Sequence, residues 1–162
     1  MRQATTQEII KLLGQPKQTT SNLVRLKLPY PMFLSWDLTT KINSILVHPK
    51  IKGPLENVLR SVKADYTPQQ IQELGLNLFG GCYNYRKMRN GNDWSKHSWA
   101  IAIDVDPIRN QLKWGAKQAM IDNPEYECFR DAMRNNGFIS LGEKYDYDWM
   151  HYEASYELLT SK

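Results

Sequence analysis

Two of the three histidines in this chain lie close to carboxylates. His97 lies in the segment Ser95–Asp104, Ser-Lys-His-Ser-Trp-Ala-Ile-Ala-Ile-Asp, and His151 lies in Asp148–Glu153, Asp-Trp-Met-His-Tyr-Glu. Two imidazoles and one carboxylate form a common ligand set of catalytic zinc, in which water takes the fourth position. Each residue taken alone also fits a turn, a loop or a half-buried strand. Together they predict a metal site formed by His97, Asp104 and His151.

The spacing of His97 and Asp104 constrains the backbone between them. Seven steps of straight strand would separate their Cα atoms by roughly 23 Å, whereas the ligands of one zinc ion lie about 2 Å from it. The chain must therefore curl around residues 97–100 before Ile101–Val105 runs as a strand. Alternation along that strand then places Asp104 beside the small Ala102 and directs the isoleucine and valine side chains to the core.

The length and composition limit the class of protein. The 162 residues suffice for one domain with its own core, and we predict a single domain over 1–162 with the metal-site core at about 77–157. No apolar run approaches the ~20 residues that cross a bilayer. The N-terminal segment lacks the apolar core of a signal peptide. Cys82 and Cys128 are predicted to be reduced and mostly buried.

The charge is divided unevenly along the chain. Residues 1–96 carry 14 Lys and Arg against 6 Asp and Glu, and residues 97–162 carry 7 against 11. A basic first half suits an anionic polymer, and an acidic second half suits a metal site, although a solvated surface of mixed charge would look similar. A nucleic-acid binder is the weaker interpretation, because the positive charge is spread out and no nucleic-acid-binding signature appears.

Periodicity and capping residues predict the secondary structure. Helices are expected from Thr5 or Thr6 to Leu13, over Leu38–Val47, from Pro54 to about Asp65, from Thr67 to Gly75 and from Asn123 to Gly137. Strands are expected over Asn22–Leu28 and near 77–87, 99–106 and 147–157. The predicted fold class is therefore α+β, a small antiparallel sheet flanked by helices, with a helical first half and a strand-rich second half.

The two motifs resemble those of a known family, the D-Ala-D-Ala carboxypeptidase and L-alanyl-D-glutamate endopeptidase group of zinc peptidases, whose fold is shared with hedgehog signalling domains. The family signature is Ser-x-His-x-x-Gly-x-Ala-x-Asp, followed later by Asp/Glu-x-x-His. The matching residues here are Ser95, His97, Ala102, Asp104, Asp148 and His151, and the family glycine is replaced by Ala100. Phage-encoded lysins of the group are also similar around Gly81–Arg86, Asp106–Pro107 with Asn110, and Gly137–Phe138.

The resemblance implies a role for each matched residue. His97, Asp104 and His151 would hold one Zn²⁺ ion per chain. Asp148 would be the general base, which requires a bend at Trp149–Met150, because a plain strand would point it away from His151.

Further residues that are not predicted metal ligands also carry expectations. Arg86 would stabilise the oxyanion, with Arg89 as the alternative, and Ser95 would help to bind the substrate. Glu153 could orient the His151 imidazole. His48, before Pro49, is predicted to cap the C-terminus of a helix and not to bind metal.

The function implied by the resemblance is cleavage of bacterial peptidoglycan stem peptides, by an L-alanyl-D-glutamate endopeptidase of the phage-lysin type. A D-alanyl-D-alanine carboxypeptidase is the alternative, followed by a non-catalytic zinc module of the same fold. We expect a monomer that binds no nucleic acid and does not span a membrane. It would be made in the cytoplasm of a bacterial host and would act on the wall after release or as part of a virion.

Overall fold

A six-stranded sheet forms the centre of the computed structural model, which describes residues 1–162. The strands are β1 (Val24–Leu34), β2 (Asp37–Val47), β3 (Leu78–Gly81), β4 (Ala102–Val105), β5 (Phe138–Ser140) and β6 (His151–Ala154). Their order across the sheet is β2-β1-β3-β4-β6-β5. The β1–β3 pair is parallel and the other neighbouring pairs are antiparallel. The predicted α+β class with a mainly antiparallel sheet is confirmed.

Six α-helices accompany the sheet. They are α1 (Thr6–Leu13), α2 (Pro49–Asp65), α3 (Pro68–Glu73), α4 (Glu127–Asn135), α5 (Leu141–Tyr145) and α6 (Tyr156–Thr160), with 3₁₀ turns over Lys96–Trp99 and Pro124–Tyr126. The predicted starts of α1 and α3 are confirmed, because Thr5 and Thr67 each form a reciprocal capping box with the third residue of the helix. No helix is long and apolar enough to cross a membrane.

The segment Leu38–Val47 is a strand, so the predicted helix there is wrong. It belongs to β2, which pairs antiparallel with β1 in a register that joins Val24 to Val47. Ile45 and Val47 are buried two residues apart, as on one face of a sheet. β-Branched residues favour this conformation once a partner strand is present. The two longest strands therefore lie in the first half of the chain, which is not mainly helical as predicted.

Helix α2 begins at Pro49, five residues before the predicted start at Pro54. Both prolines fit the first turn of a helix, but Pro49 follows a residue able to cap it. His48 is that residue: its Nδ1 accepts a hydrogen bond from the Lys50 backbone N–H at 3.1 Å. The prediction that His48 caps the C-terminus of a helix is therefore wrong, since it caps the N-terminus of α2.

The hydrophobic core lies between the sheet and the helices that pack on it. Helix α2 contributes Ile51, Leu55, Val58, Leu59 and Val62 to this core. Both cysteines are free thiols, as predicted, but only Cys82 is buried. Cys128 is exposed, because it lies at the start of α4 on the side that faces away from the core.

Candidate metal centre

The turn before β4 brings His97 back toward the sheet. Ser95 caps the 3₁₀ turn Lys96–Trp99 through its hydroxyl, which accepts a hydrogen bond from the His97 backbone N–H at 3.3 Å. Ala100 then adopts a left-handed conformation with φ 54° and ψ 40°. The structure thus contains the predicted curl over residues 97–100. A left-handed conformation suits glycine, which is the residue that the signature has at this position. The alanine found here costs about 1–2 kcal/mol of backbone strain.

The register of the sheet places the other two candidate ligands side by side. Strands β4 and β6 are antiparallel neighbours, and Asp104 lies directly opposite His151. Ala102 lies opposite Glu153 in the same pair. Ala102 is fully buried, and its side chain is only a methyl group. Residues that are 47 positions apart therefore meet through backbone pairing.

Three atoms converge within hydrogen-bonding distance of one another. The Nε2 atom of His97 lies 3.3 Å from Nδ1 of His151 and 3.2 Å from Oδ1 of Asp104, and the latter two atoms are 3.1 Å apart. Tetrahedral ligands about 2.0–2.2 Å from a zinc ion lie about 3.3–3.6 Å from each other. The three atoms therefore have nearly the separations of one face of a zinc coordination tetrahedron, and this group could hold a metal ion.

The second nitrogen of each imidazole fixes its tautomer. Nδ1 of His97 lies 2.9 Å from the carbonyl oxygen of Cys82, which can only accept a hydrogen bond. Nε2 of His151 lies 3.0 Å from a carboxylate oxygen of Glu153. When each neutral imidazole carries its proton on the nitrogen that bonds Cys82 or Glu153, the other nitrogen is unprotonated. Nε2 of His97 and Nδ1 of His151 then present lone pairs near Asp104. In this neutral form three acceptors converge, and either a cation or a proton on Nδ1 of His151 satisfies them.

The electrostatics of this cluster favour a positive charge at its centre. Burial lowers the pKa of His151, but its hydrogen bonds to Asp104 and Glu153 outweigh burial and raise the pKa to about 10. Burial raises the pKa of Asp104, but His97 and His151 outweigh it and hold that pKa well below its usual range. A proton and a metal ion would therefore compete for the same buried position.

Glu153 is itself held by a residue near the start of the chain. Its second carboxylate oxygen accepts a hydrogen bond from the Gln3 amide at 2.9 Å, and Gln3 accepts one from the Tyr145 hydroxyl at 2.5 Å. Glu153 is buried, with 3% of its surface exposed. The sequence suggested the orienting role of Glu153 but gave no signal for Gln3, because one glutamine outside a motif is indistinguishable from a surface residue.

Glu153→Gln is expected to weaken zinc binding about 10- to 100-fold, because a neutral amide is a poorer partner for the His151 N–H than a carboxylate. The dissociation constant can be measured by competition with a chromogenic zinc chelator. Glu157→Gln is the matched control, since Glu157 is exposed and accepts its hydrogen bond from the Arg2 backbone. Equal zinc affinity in Glu153→Gln and wild type would contradict this role.

Asp148 lies in a turn that reverses the chain before His151. It has a left-handed conformation with φ 53°, and its carbonyl oxygen accepts a hydrogen bond from the His151 N–H at 3.0 Å. The structure therefore contains the expected bend at Trp149–Met150. The buried Trp149 fixes this turn by donating from its indole to Asp146 at 3.2 Å.

The carboxyl group of Asp148 titrates close to neutrality. Burial raises its pKa to about 6; the nearby His151 opposes this rise and the like charge of Asp104 adds to it. Arg89 also contributes a weak lowering. A carboxylate with a pKa near the working pH is suited to accept and return a proton.

An open cleft of about 320 Å³ leads to the metal-ligand cluster. Its lining residues are Trp36, Gly80, Gly81, Tyr83, Asn84, Arg86, His97 and Asp104. Arg86 therefore shares the cleft with two candidate ligands. The backbone N–H of Arg86 donates a hydrogen bond to the Ser98 hydroxyl at 3.0 Å. Ser95 and Arg89 are not among the lining residues. Ser95 caps the turn instead, and its role in substrate binding remains a prediction.

The segment that carries the metal cluster is similar to a known peptidase family. Residues 89–154 match the family model described as D-alanyl-D-alanine carboxypeptidase, a zinc peptidase family. The matched stretch contains the three candidate ligands and Asp148, whereas Arg86 precedes it. No curated protein and no solved structure matches the chain. The resemblance to this family, predicted from the two motifs, is confirmed over the matched residues.

Proposed function

We propose that the chain is a zinc-dependent peptidase that cuts the stem peptides of bacterial peptidoglycan, and that it cleaves between L-Ala and D-Glu. The observation that carries the proposal is the convergence of Nε2 of His97, Oδ1 of Asp104 and Nδ1 of His151, while the other nitrogen of each imidazole is hydrogen-bonded to the Cys82 carbonyl or the Glu153 carboxylate. The family match supports a peptidase of the carboxypeptidase group. The identity of the bond rests on the similarity to phage lysins.

The residues fit a single zinc ion. His97 would bind it through Nε2, His151 through Nδ1 and Asp104 through Oδ1, and a water molecule would take the fourth position. When bound, zinc acidifies a water molecule and polarises the scissile carbonyl. The chain contributes by holding the three atoms in place through the Cys82 carbonyl and the Glu153 carboxylate.

Asp148 is the group proposed to move the proton. Its carboxylate takes a proton from the attacking water, whose oxygen bonds to the carbonyl carbon of the substrate. The carbon–nitrogen bond then breaks, and Asp148 returns the proton to the departing amine. Burial raises the pKa of this carboxyl group, which makes its carboxylate a better proton acceptor.

Arg86 is proposed to stabilise the negative charge that develops on the carbonyl oxygen. It lines the cleft together with His97 and Asp104, and a guanidinium offers several donors in one plane. The same cation could bind the free carboxylate of a stem peptide. This possible role of Arg86, together with the similarity to the D-alanyl-D-alanine carboxypeptidase family, makes a D-alanyl-D-alanine carboxypeptidase the second candidate function.

We also propose that residues 1–162 form one domain. The continuous sheet supports this, because β1 and β2 pair through β3 with the strands that carry Asp104 and His151. The contact of Gln3 with Glu153 joins the N-terminal segment to the same centre. The proposed site of action is the bacterial wall, reached after release or as part of a virion.

Digestion of purified peptidoglycan, followed by mass analysis of the products, tests the function. An endopeptidase would leave L-Ala on the glycan and release peptides that begin with D-Glu, and a chelator would abolish the products. Release of single D-Ala residues would assign the carboxypeptidase instead. Absence of products from protein that holds one zinc ion would favour the non-catalytic module.

The activity is expected to fall in acid, with a midpoint at or below about pH 6. Asp148 must be ionised to accept a proton, its pKa is raised to about 6 by burial, and a bound cation would lower it. The measurement is kcat/KM against pH, with the zinc content determined at each point to separate metal loss from titration. The residual activity of Asp148→Asn should lack this acid limb; an identical limb in the variant would assign it to another group.

A further inference from the structure

Trp36 places an exposed aromatic surface in the cleft. It occupies the two-residue turn between β1 and β2, and 65% of its surface is exposed. Its indole lies against the buried Phe79, with ring centroids 6.3 Å apart. Trp36 also lines the same cleft as His97 and Asp104. Large aromatic side chains that remain exposed beside a site are suited to cover the apolar face of a ligand.

The turn that carries Trp36 is held in place before any ligand binds. The Ser35 backbone N–H donates to the Phe79 carbonyl at 3.0 Å, which fixes the turn to β3. Across the turn, the Asp37 carboxylate accepts hydrogen bonds from the Thr39 and Thr40 hydroxyls at 2.7 and 2.5 Å. The position of the indole relative to the cluster is therefore set by the sheet, so binding would cost little ordering of this turn.

The size of the cleft limits how much of a polymeric substrate it encloses. Its volume of about 320 Å³ is near the lower end of the range of about 300–1,000 Å³ for small-molecule sites. A peptide bond placed over the cluster therefore leaves the attached groups at the rim. In a stem peptide cut after L-Ala, the group attached to that alanine is the lactyl ether of a muramic acid ring.

We propose that Trp36 is a sugar-binding platform that stacks on the muramic acid ring next to the scissile bond. The C–H face of a pyranose is apolar and can cover the indole. Asn84 and Arg86 line the same cleft, and their amide and guanidinium groups are donors suited to the hydroxyl and acetamido groups of the sugar. This inference rests on the proposed endopeptidase function, because in D-Ala release the sugar lies several residues from the cut.

The test compares two ligands, a disaccharide–stem peptide and the same stem peptide without sugar. Their dissociation constants are measured by calorimetry on zinc-loaded Asp148→Asn protein, which binds without rapid turnover. Addition of Trp36→Ala is expected to weaken binding of the sugar-bearing ligand by roughly 10-fold and to leave binding of the free peptide unchanged. Trp36→Tyr should retain most of the affinity, because a smaller aromatic ring can still stack.

Leu38→Ala is the matched control, since Leu38 lies on the same hairpin, is 56% exposed and does not line the cleft. It should leave both dissociation constants unchanged. Equal weakening of both ligands by Trp36→Ala, or no weakening of either, would overturn the platform. The outcome is separable from the proposed function: a wild-type protein that cleaves neither ligand refutes the endopeptidase, while the calorimetry still decides whether Trp36 binds the sugar.

Discussion

Asp148→Asn is expected to lower kcat on peptidoglycan stem peptides by about 10²- to 10⁴-fold and to leave one zinc ion bound. The amide has the shape of the carboxylate but cannot accept the proton. The turn should persist, because the backbone of Asp148 makes its hydrogen bonds, donating to the Leu112 carbonyl and accepting from the His151 N–H. Asparagine also tolerates the left-handed φ of 53° at this position.

Three measurements check this expectation: kcat on a defined stem peptide, zinc content by elemental analysis and the thermal midpoint. Asp93→Asn is the matched control, since Asp93 is exposed and its carboxylate accepts a hydrogen bond from the Trp94 backbone. The control should keep wild-type turnover. Near-wild-type kcat in zinc-loaded Asp148→Asn would refute the general-base role and direct attention to another proton acceptor.

His97→Ala is expected to remove the zinc and, with it, all measurable peptidase activity. The loss of one of three protein ligands should exceed the effect of about 10- to 100-fold expected for a residue that only orients a ligand. The substitution removes an imidazole whose Nδ1 is hydrogen-bonded to the backbone carbonyl of Cys82. It therefore leaves no buried charge without a partner, and the folded structure should survive.

Zinc affinity by chelator competition, zinc stoichiometry and circular dichroism together test the ligand assignment. His48→Ala provides the control, because His48 caps α2 and is not part of the metal-ligand cluster. It should bind zinc as wild type does and lose only some stability. Unchanged zinc affinity in His97→Ala, or zinc loss in His48→Ala, would contradict the assignment.

Local constraints made several features predictable. A straight strand over the seven steps from His97 to Asp104 would hold these residues too far apart to share an ion, so bond lengths alone required a curl. The caps of α1 and α3 are also local, because a threonine and the third residue of the helix satisfy each other's backbone groups. The fold class followed from such local patterns together with the aromatic and β-branched stretches of the second half.

The strand β2 was not predictable in the same way. Its apolar residues fit a helical spacing as well as an alternating one, and the choice depends on whether a partner strand is available. That partner is β1, which in turn pairs with β3. The same pairing carries Trp36 to the cleft, although Trp36 lies 61 positions from His97 in the chain.

The sequence by itself determined which residues could bind a metal and that the chain must bend between them, because ligand chemistry and covalent distances are properties of short segments. The tertiary structure alone decided how those residues are oriented. The Cys82 carbonyl and the Glu153 carboxylate select the tautomers, and Gln3 supports Glu153 from 150 positions away. Contacts of this kind depend on strand register and on packing between distant segments, for which a single sequence carries no local signal.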